Sequence, residues 1–452
     1  MAEHTHPFDR KVEYYPLSIL ARHGGPSSTH NTEPAGSPKP PAYTSADIDW
    51  IPNFAKFQKR LKERSSLVCS EAAGLPKGWP SRLDSPLAWT GSDLHPGDYV
   101  FELTQANIQE INNALLYFKG LGLELDDVRR ATFPLPTLAP QLSQLSSSLY
   151  HGIGFCVLRG LNPKLYSRED NVIIYLGLSS YFGEQRGRQY QDGHITEVKF
   201  DGVPDNLRRP LFTNASQPFH TDLICGVLAM HFIDTAAKGG EVLLSSSWRV
   251  YNEIVAQSRP DIINTLSKDD WVHDTFGRNP AYHKRPIMHH WRDRLVTIFS
   301  RRNLVGSEAT PRSPGIPPVT EAQAEALDAV HFAAAAHAVT VRPRPGDFMF
   351  VNNFALMHSR NAWEDSEASK RYILRLWLND PEQGWEVPPA LRLGWARIFE
   401  EADEITNFWD VDPDVARGRM PRLDDGDGDG NGGSGGGGNG GGGSNGRSTS
   451  CG

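Results

Sequence analysis

The chain has 452 residues and a formal net charge of −8, with 38% hydrophobic and 22% charged residues. This composition is typical of a soluble globular protein with a sizeable core, in one large domain or two to three ordinary ones. The acidic balance argues against a nucleic-acid-binding protein, which would carry a basic patch or stripe.

The cysteines and the N-terminus bear on the cellular compartment. Cys69, Cys156, Cys225 and Cys451 form neither a C-x-x-C pair nor a disulfide framework, which is typical of a reducing compartment. Cys156 and Cys225 lie in apolar runs and are predicted to be small core residues. The first ten residues are polar and show no secretory signal, and no stretch approaches the roughly 20 apolar residues of a membrane span. We therefore expect a cytoplasmic protein without a membrane partner.

Two segments lack the composition of a folded core. His23 to Thr44 is rich in Gly, Pro, Ser and Thr, as linkers are. The Asp/Gly run from Asp424 and the Gly/Asn/Ser tract after it cannot bury enough apolar surface to offset their ordering entropy. We therefore predict disorder at 1–45 and 423–452, on either side of a single domain at 46–422.

The first part of that domain is predicted to be mainly helical, as an N-terminal extension over about 46–150. Thr104 can cap a helix whose apolar positions include Ile108 and Ile111. Further helices are predicted around Leu138 to Tyr150 and from Tyr166 to Phe182.

Short apolar runs then predict strands, with turns at Ala236 to Gly240 and at Arg344 to Asp347 and with Ser247 capping a helix. The predicted strands are 152–160, 227–234, 241–246, 295–299, 338–342, 348–352 and 372–378. Helices followed by many short strands indicate an α+β architecture built around a β-sandwich or jelly roll, with the core at about 151–382.

His220 and Asp222 form the only H-x-D step in the chain. Residues two apart on a strand project to the same side, so this step offers an imidazole and a carboxylate to one point. His358 follows a second apolar strand and would complete the two-His-one-carboxylate set that holds non-haem Fe(II) with one face open. The adjacent His289 and His290 would point to opposite faces of a strand. The alternative is a surface loop whose His and Asp merely hydrogen-bond to each other, with His358 a core or edge residue.

The strand from Lys370 to Leu378 carries two arginines. Its apolar face is predicted to be buried, whereas Arg371, Arg375 and Trp377 share the opposite face. In a closed double sheet two guanidiniums would enter an enclosed space, which is costly unless anions meet them. The arginine fork matches a carboxylate, and 2-oxoglutarate has two carboxylates. The alternative is a one-sided sheet whose arginines face water.

These motifs, in this order over about Gly152 to Asp380, resemble those of fungal members of the TauD/TfdA dioxygenase family. The sequence runs Pro-Phe-His-Thr-Asp, Lys-Gly-Gly-Glu, Pro-Gly-Asp-Phe-Met-Phe-Val-Asn-Asn, His-Ser-Arg and Lys-Arg-Tyr-Ile-Leu-Arg-Leu-Trp-Leu. The resemblance implies a double-stranded β-helix (jelly-roll, clavaminate synthase-like) core with flanking helices. It also implies Fe(II) with 2-oxoglutarate and dioxygen as co-substrates.

The resemblance also implies roles for individual residues. His220, Asp222 and His358 match the iron ligands. Arg371 matches the arginine that grips the distal carboxylate of 2-oxoglutarate, and Arg375 matches the one near the substrate and the metal-side carboxylate.

One position departs from the family's pattern. In the taurine enzyme a threonine follows the Gly-Gly-Asp step and its hydroxyl helps to bind the co-substrate. Here Val242 stands there, so that hydrogen bond is absent or comes from elsewhere, with Ser245 as the candidate.

The sequence thus predicts an oxygenase that couples oxidative decarboxylation of 2-oxoglutarate to hydroxylation, desaturation or cyclisation of a small molecule. The expected substrate is an anionic or amino-acid-like secondary metabolite. The segment 185–197, with Arg188, Tyr190, Gln191, Asp192 and His194, lines the pocket mouth or forms a solvated hairpin. A cupin-like isomerase or hydrolase with another metal and a catalytically silent binding module are the alternatives. The sequence leaves a homo-oligomer open.

Overall fold

The computed structural model describes residues 45–68, 74–189, 195–199, 213–222, 224–276, 280–306 and 311–400. These residues belong to one compact unit. The predicted disordered segments lie outside the described residues apart from position 45, and Cys69 and Cys451 lie outside them too. No described helix is both long and apolar enough to cross a membrane.

The helices cluster before the strands and between the two halves of the strand-rich region. They are α1 (Phe54–Val68), α2 (Pro96–Tyr99), α3 (Gln105–Leu121), α4 (Ala139–His151), α5 (Arg168–Ser180), α6 (Ser247–Ala256), α7 (Pro260–Ser267), α8 (Arg302–Val305), α9 (Glu321–Ala336) and α10 (Arg392–Phe399).

The strands are short, apart from two of eight residues each that run through the core. They are β1 (Val100–Glu102), β2 (Phe155–Arg159), β3 (Gln185–Gly187), β4 (Ile195–Lys199), β5 (Gln217–His220), β6 (Val227–Asp234), β7 (Lys238–Gly239), β8 (Val242–Ser246), β9 (Val272–Asp274), β10 (Tyr282–Lys284), β11 (Met288–Trp291), β12 (Arg294–Thr297), β13 (Val339–Val341), β14 (Phe348–Asn352), β15 (Leu356–Arg360), β16 (Trp363–Glu364) and β17 (Tyr372–Asn379).

Two sheets make up the core. The long sheet has the order β1-β2-β14-β6-β17-β3, with β4 also paired to β17, and the short sheet has the order β13-β8-β15-β5. Pairing is antiparallel except between β1 and β2. Backbone pairing does not join the two sheets within the described strands, so the closed double sheet considered from the sequence is not seen there.

The N-cap of α3 explains why that helix begins where the sequence predicts. The hydroxyl of Thr104 accepts a bond from the backbone N–H of Asn107 at 3.2 Å, and the Asn107 side chain accepts one from the Thr104 N–H at 2.9 Å. Two of the unpaired donors of the first turn are thereby satisfied. The helices predicted near 138–150 and 166–182 are confirmed as α4 and α5.

Two local predictions need correction. The cap of α6 is Ser246 rather than Ser247, because the Ser246 hydroxyl accepts from the Arg249 N–H at 3.1 Å, whereas the Ser247 hydroxyl donates to the Ala355 carbonyl at 2.7 Å. The turn predicted at Ala236 to Gly240 contains a short strand, β7, and does not lead β8 back along β6. Strand β8 crosses to the short sheet and pairs with β13 and β15.

A buried ionic network holds α1 against α9. The Arg301 guanidinium donates to Asp328 at 2.8 Å and to the carbonyls of Asp49 and Trp50 at 2.7 and 3.2 Å. The Arg60 guanidinium donates to the other Asp328 oxygen at 2.9 Å and to Glu321 at 2.8 Å. Each charge therefore has an opposite charge or a carbonyl within hydrogen-bond distance.

Candidate active site

His220, Asp222 and His358 converge beside the terminal strand β5 of the short sheet. His220 is the last residue of β5 and pairs directly with His358 of β15, and antiparallel partners point to the same face. One ligand atom from each of the three residues lies within 4.8 Å of the others. The two imidazole rings are 4.2 Å apart, and His358 Nε2 is 3.7 Å from Asp222 Oδ1. The structure brings the three predicted residues together at one point.

Local backbone bonds orient the first half of this cluster. His220 Nδ1 lies 2.9 Å from the Pro218 carbonyl, and a proton on Nδ1 leaves the Nε2 lone pair for a metal. The backbone N–H of Thr221 donates to the Phe299 carbonyl at 2.7 Å, and its hydroxyl accepts from the Phe299 N–H at 3.0 Å. The N–H of Asp222 donates to the Asn353 side chain at 2.8 Å. Contacts with Pro218, Phe299 and Asn353 thus fix the end of β5 and the short segment after it.

The two carboxylate oxygens of Asp222 have different surroundings. Oδ2 accepts a bond from the indole N–H of Trp377 at 2.6 Å and lies 3.0 Å from Arg375 Nη1. Oδ1 faces His358. Both Trp377 and Arg375 come from β17, so the long sheet contributes directly to the surroundings of the metal-ligand candidates of the short sheet.

The electrostatics keep all three side chains in the protonation state that binds a metal. Burial raises the pKa of Asp222, but Arg375, then His358, His220 and the Trp377 N–H, bring it below its ordinary value. Burial, reinforced by His220, lowers the pKa of His358 to about 3, and burial also lowers the pKa of His220 against the opposing effect of Asp222. Metal ligands must be deprotonated carboxylate and neutral imidazole, which these shifts favour.

Gln189 makes two hydrogen bonds with Arg375. The Arg375 Nε donates to the Gln189 side-chain oxygen at 2.8 Å, and the Gln189 amide donates to the Arg375 carbonyl at 2.7 Å. Gln189 is almost fully buried. The alternative in which the arginines face water is wrong, because the side chain of Arg375 is 12% exposed and Arg371 is 6% exposed.

Arg371 lies just before β17, beyond an irregularity in the pairing of β17 with β6. Its guanidinium sits 4.7 Å from the Trp363 ring, and that of Arg360, two residues after His358, sits 4.1 Å from the same ring. Gly240 (φ +75) lies so close that a Cβ there would come within 3.5 Å of Arg371 Cδ. Nη1 of Arg371 is buried without a hydrogen-bond partner among the described residues, and burial lowers its pKa to about 10.

Ser245 is on the wrong face of its strand for the predicted role. In the β8–β15 ladder Leu244 pairs with His358 and Val242 pairs with Arg360, so Leu244 and Val242 share the face of the histidine. Ser245 pairs with Met357 and therefore points to the opposite side of the sheet. Its hydroxyl is buried without a hydrogen-bond partner among the described residues. The register gives no support to Ser245 as a co-substrate ligand.

Sequence reasoning missed three residues around the cluster. Gln189 lies within the segment that was predicted as a pocket mouth or hairpin, of which Tyr190, Gln191, Asp192 and His194 lie outside the described residues. The sequence places Trp377 on the same face as Arg371 and Arg375 but assigns it no role. An indole N–H can only donate, so a buried indole among apolar residues needs an acceptor. Asn353 was seen only as part of a motif.

The donor set fits a divalent transition metal, and Arg371 Nη1, which lacks an acceptor among the described residues, fits an anionic co-substrate. Two imidazoles and one carboxylate oxygen supply one face of a non-haem iron site and leave the other face open. A buried N–H of Arg371 without an acceptor is costly unless an anion binds to it. The adjacent His289 and His290 lie on β11, where only His289 is buried, and they do not join a metal-ligand cluster among the described residues.

Comparisons with known proteins give a consistent result. The sequence profile of the taurine catabolism dioxygenase TauD, TfdA family matches residues 119–377. A taurine hydroxylase-like protein, SAT17, from Stachybotrys chartarum is 32% identical over 345 residues, which cover 74% of this chain and 89% of that protein. The FR-33289 synthase of Streptomyces rubellomurinus is 24% identical and covers 65% of this chain and 88% of that protein.

A solved structure supports the fold. The crystal structure of an asparagine oxygenase with Fe(II), 3-hydroxyasparagine and succinate superposes with a TM-score of 0.50 at 17% identity. The match covers 64% of this chain and 98% of that one. The core is therefore of the jelly-roll type, with mixed sheets and flanking helices.

Proposed function

Because this chain belongs to the TauD/TfdA family of taurine catabolism dioxygenases, it is a non-haem Fe(II)/2-oxoglutarate-dependent dioxygenase, and we propose that it oxidises a C–H bond of a small anionic or amino-acid-like metabolite. Its cofactor is Fe(II), and its co-substrates are 2-oxoglutarate and dioxygen. The observation that carries the proposal is the meeting of His220, Asp222 and His358 within 4.8 Å of one another, beside buried arginines.

We assign the metal to His220 Nε2, one oxygen of Asp222 and His358 Nε2. Arg371 holds the distal carboxylate of 2-oxoglutarate, an assignment supported by the buried Nη1 that lacks a partner among the described residues. Arg375 lies beside Asp222 and presents a cation where the metal-side carboxylate and the substrate anion meet. Val242 faces the site in place of the family's threonine and offers no hydrogen bond.

When bound, the iron couples decarboxylation of 2-oxoglutarate by dioxygen, to succinate and carbon dioxide, with oxidation of the substrate C–H bond. The protein contributes orientation and the exclusion of water. Arg371 and Arg375 fix the two anions, and the imidazoles remain neutral ligands because burial keeps their pKa values low. The apolar side chains of Leu244 and Val242 line the same face as His358 and limit access of water.

The substrate class is supported by charge and by relatives. Similar proteins are named after taurine hydroxylation and FR-33289 synthesis, and a structural neighbour carries hydroxyasparagine. A guanidinium beside the metal ligands favours an anionic group on the substrate. Hydroxylation, desaturation and cyclisation all remain open as outcomes, and we place the reaction in secondary metabolism.

The two alternatives from the sequence are less favoured. An isomerase or hydrolase with another metal would have no use for a second anion clamp such as Arg371. A silent binding module would not need three metal ligands with one face left open. Family membership agrees with the oxygenase in both respects.

Several finer assignments stand as proposals. The core is a double-stranded β-helix of the clavaminate synthase-like kind, within a dioxygenase domain at 46–422 that has a helical extension at about 46–150. We keep the expectation of a cytoplasmic enzyme that acts on a small molecule, without nucleic-acid or membrane partners and with a homo-oligomer left open.

The test uses the purified chain with Fe(II), ascorbate and 2-oxoglutarate under air. A panel of small sulfonates, carboxylates and amino acids is screened for substrate-dependent release of succinate. We expect His220→Ala and Asp222→Ala to abolish that release, whereas His95→Ala, at an exposed histidine, leaves it unchanged. Full activity in either ligand variant would refute the metal site.

A further inference from the structure

The inference concerns the oxygen of Asp222 that faces away from the histidines, and it rests on the proposed function. Oδ2 accepts a 2.6 Å bond from Trp377 Nε1 and lies 3.0 Å from Arg375 Nη1, while Oδ1 lies 3.7 Å from His358 Nε2. A carboxylate oxygen with two donors in place has little capacity left for a cation. The two oxygens of Asp222 therefore differ: Oδ2 already has two donors, whereas Oδ1 is the one that faces His358 and is left for a metal.

The Trp377 indole is held rigidly in this position. Trp377 is 3% exposed and lies on β17 of the long sheet, where it pairs with Leu228 of β6 on one side and Gly187 of β3 on the other. Its N–H is its one polar group and is used on Asp222. A buried indole fixed by two neighbouring strands sets both the direction and the reach of that N–H.

We propose that Trp377 is a positioning residue that makes Asp222 a one-oxygen metal ligand. Two imidazoles and one carboxylate oxygen would hold a bound ion from one face and leave the opposite face to the co-substrates. If both oxygens of Asp222 bound, a position on that opposite face would be lost, and 2-oxoglutarate with dioxygen could not be accommodated together. Trp377 prevents this by holding Oδ2 on the long sheet.

The test replaces the indole N–H while keeping an aromatic ring. Trp377→Phe is compared with Trp385→Phe, because Trp385 is also buried but its Nε1 has no hydrogen-bond partner among the described residues. Each apo-protein is titrated with Co(II) without oxygen, and both the affinity and the visible absorption spectrum are recorded. Co(II) absorption reports the set of ligands around the ion independently of turnover.

We expect Trp377→Phe to weaken Co(II) binding by about tenfold and to change the visible spectrum, because the second oxygen of Asp222 would replace another ligand of the ion. Trp385→Phe should match the unmodified protein in both measurements. Unchanged affinity and spectrum in Trp377→Phe would overturn the inference, and so would equal changes in the two variants.

Two further controls keep the result decisive. If Trp377→Phe does not fold, Trp377→Leu is compared with Trp385→Leu, because a leucine side chain has no N–H to donate to Oδ2, and the same outcomes apply. If the unmodified protein binds Co(II) no better than His220→Ala does, the proposed metal site itself fails. If the unmodified protein binds normally and Trp377→Phe behaves identically, only the inference about Trp377 fails.

Discussion

Arg301 and Arg371 are both buried guanidiniums, yet their surroundings differ. Arg301, in the network between α1 and α9, has Asp328 and two carbonyls as acceptors for its Nη1, Nη2 and Nε groups. Arg371, beside the candidate active site, has Trp363 under its plane and an Nη1 without an acceptor among the described residues. In the first region the protein supplies acceptors to all three nitrogens of Arg301. In the second region the described residues leave Nη1 of Arg371 without an acceptor.

The difference separates a structural site from a binding site. A buried charge without a partner is costly, so such a group persists where something other than the chain completes it. Burial lowers the pKa of both arginines, but Asp328 opposes the shift at Arg301, whereas at Arg371 the opposing charge is Asp365, which accepts from the backbone N–H. The contrast can be tested by making the same substitution, to methionine, at Arg301 and at Arg371.

The largest effect is expected at Arg301. Arg301→Met should lower the free energy of unfolding by about 3–5 kcal/mol, because the buried Asp328 loses one of its two guanidiniums. Urea unfolding followed by circular dichroism measures the change. As a control, Glu364→Gln removes an exposed ion pair with Lys238 and should cost less than about 1 kcal/mol. Equal losses in the two variants would contradict the claim that Arg301 is a structural site.

At Arg371 the same substitution should act on binding. Arg371→Met removes a buried guanidinium that donates to no carboxylate among the described residues, so the free energy of unfolding should stay the same or rise. The 2-oxoglutarate concentration for half-maximal succinate formation should increase roughly 30-fold or more, as expected for the loss of about 2–5 kcal/mol from a buried charge pair. An unchanged requirement for 2-oxoglutarate would remove Arg371 from its role.

Binding of 2-oxoglutarate should stabilise the Arg301 and Arg371 variants to different extents. With Co(II) present, 2-oxoglutarate at a hundred times its Kd should raise the free energy of unfolding by about 2.7 kcal/mol, because it binds the folded chain alone. At the same multiple of its own Kd, 2-oxoglutarate should raise the free energy of unfolding of Arg301→Met by the same amount. At the concentration used for the unmodified chain, it should raise that of Arg371→Met very little, because this variant binds the co-substrate weakly. Thermal unfolding with and without 2-oxoglutarate measures both. A full gain in Arg371→Met at that concentration would show that the anion binds elsewhere.

The smallest effect, per unit of pH, concerns the buried imidazole of His231. Burial lowers the pKa of His231 to about 3, below the value near 6.5 of an unfolded chain. Between these values the unfolded state binds the additional proton, so stability falls as the pH drops from 6.5 towards 3. His231→Leu should reduce the slope of stability against pH by up to about 1.4 kcal/mol per pH unit in that window. Unfolding at several pH values gives the slope, and an unchanged slope would contradict the assignment.

Much of the fold followed from short-range patterns. The strand Val227–Asp234 and the cap at Thr104 depend on neighbouring residues, and the structure confirms both. The cap of α6 was misplaced by one residue because Ser246 and Ser247 are equally suited by type, and only the contact with Ala355 separates them. Ser245 was misjudged because the face of β8 depends on its register with β15, which the sequence alone does not fix.

The candidate site was predictable where motif spacing carried the information. The H-x-D spacing indicates that His220 and Asp222 lie close together, although β5 ends at His220 and Asp222 lies in the segment after it, not on the strand as the sequence predicts. The bond from Trp377 to Asp222 joins residues 155 positions apart, and that from Arg375 to Gln189 spans 186 positions. Such contacts result from which strands become neighbours, and the strand order of the long sheet was not predicted.

The network at Arg301 has a consequence for any shortened form of this protein. The range that matches the family begins at residue 119, inside α3, yet Arg301 and Asp328 within that range depend on Asp49, Trp50 and Arg60 before it. A fragment trimmed to the matched range would expose the face of α9 that α1 covers and leave one carboxylate and one guanidinium with incomplete partners. The smallest autonomous catalytic fragment should therefore begin before Asp49, well upstream of the boundary that sequence similarity suggests.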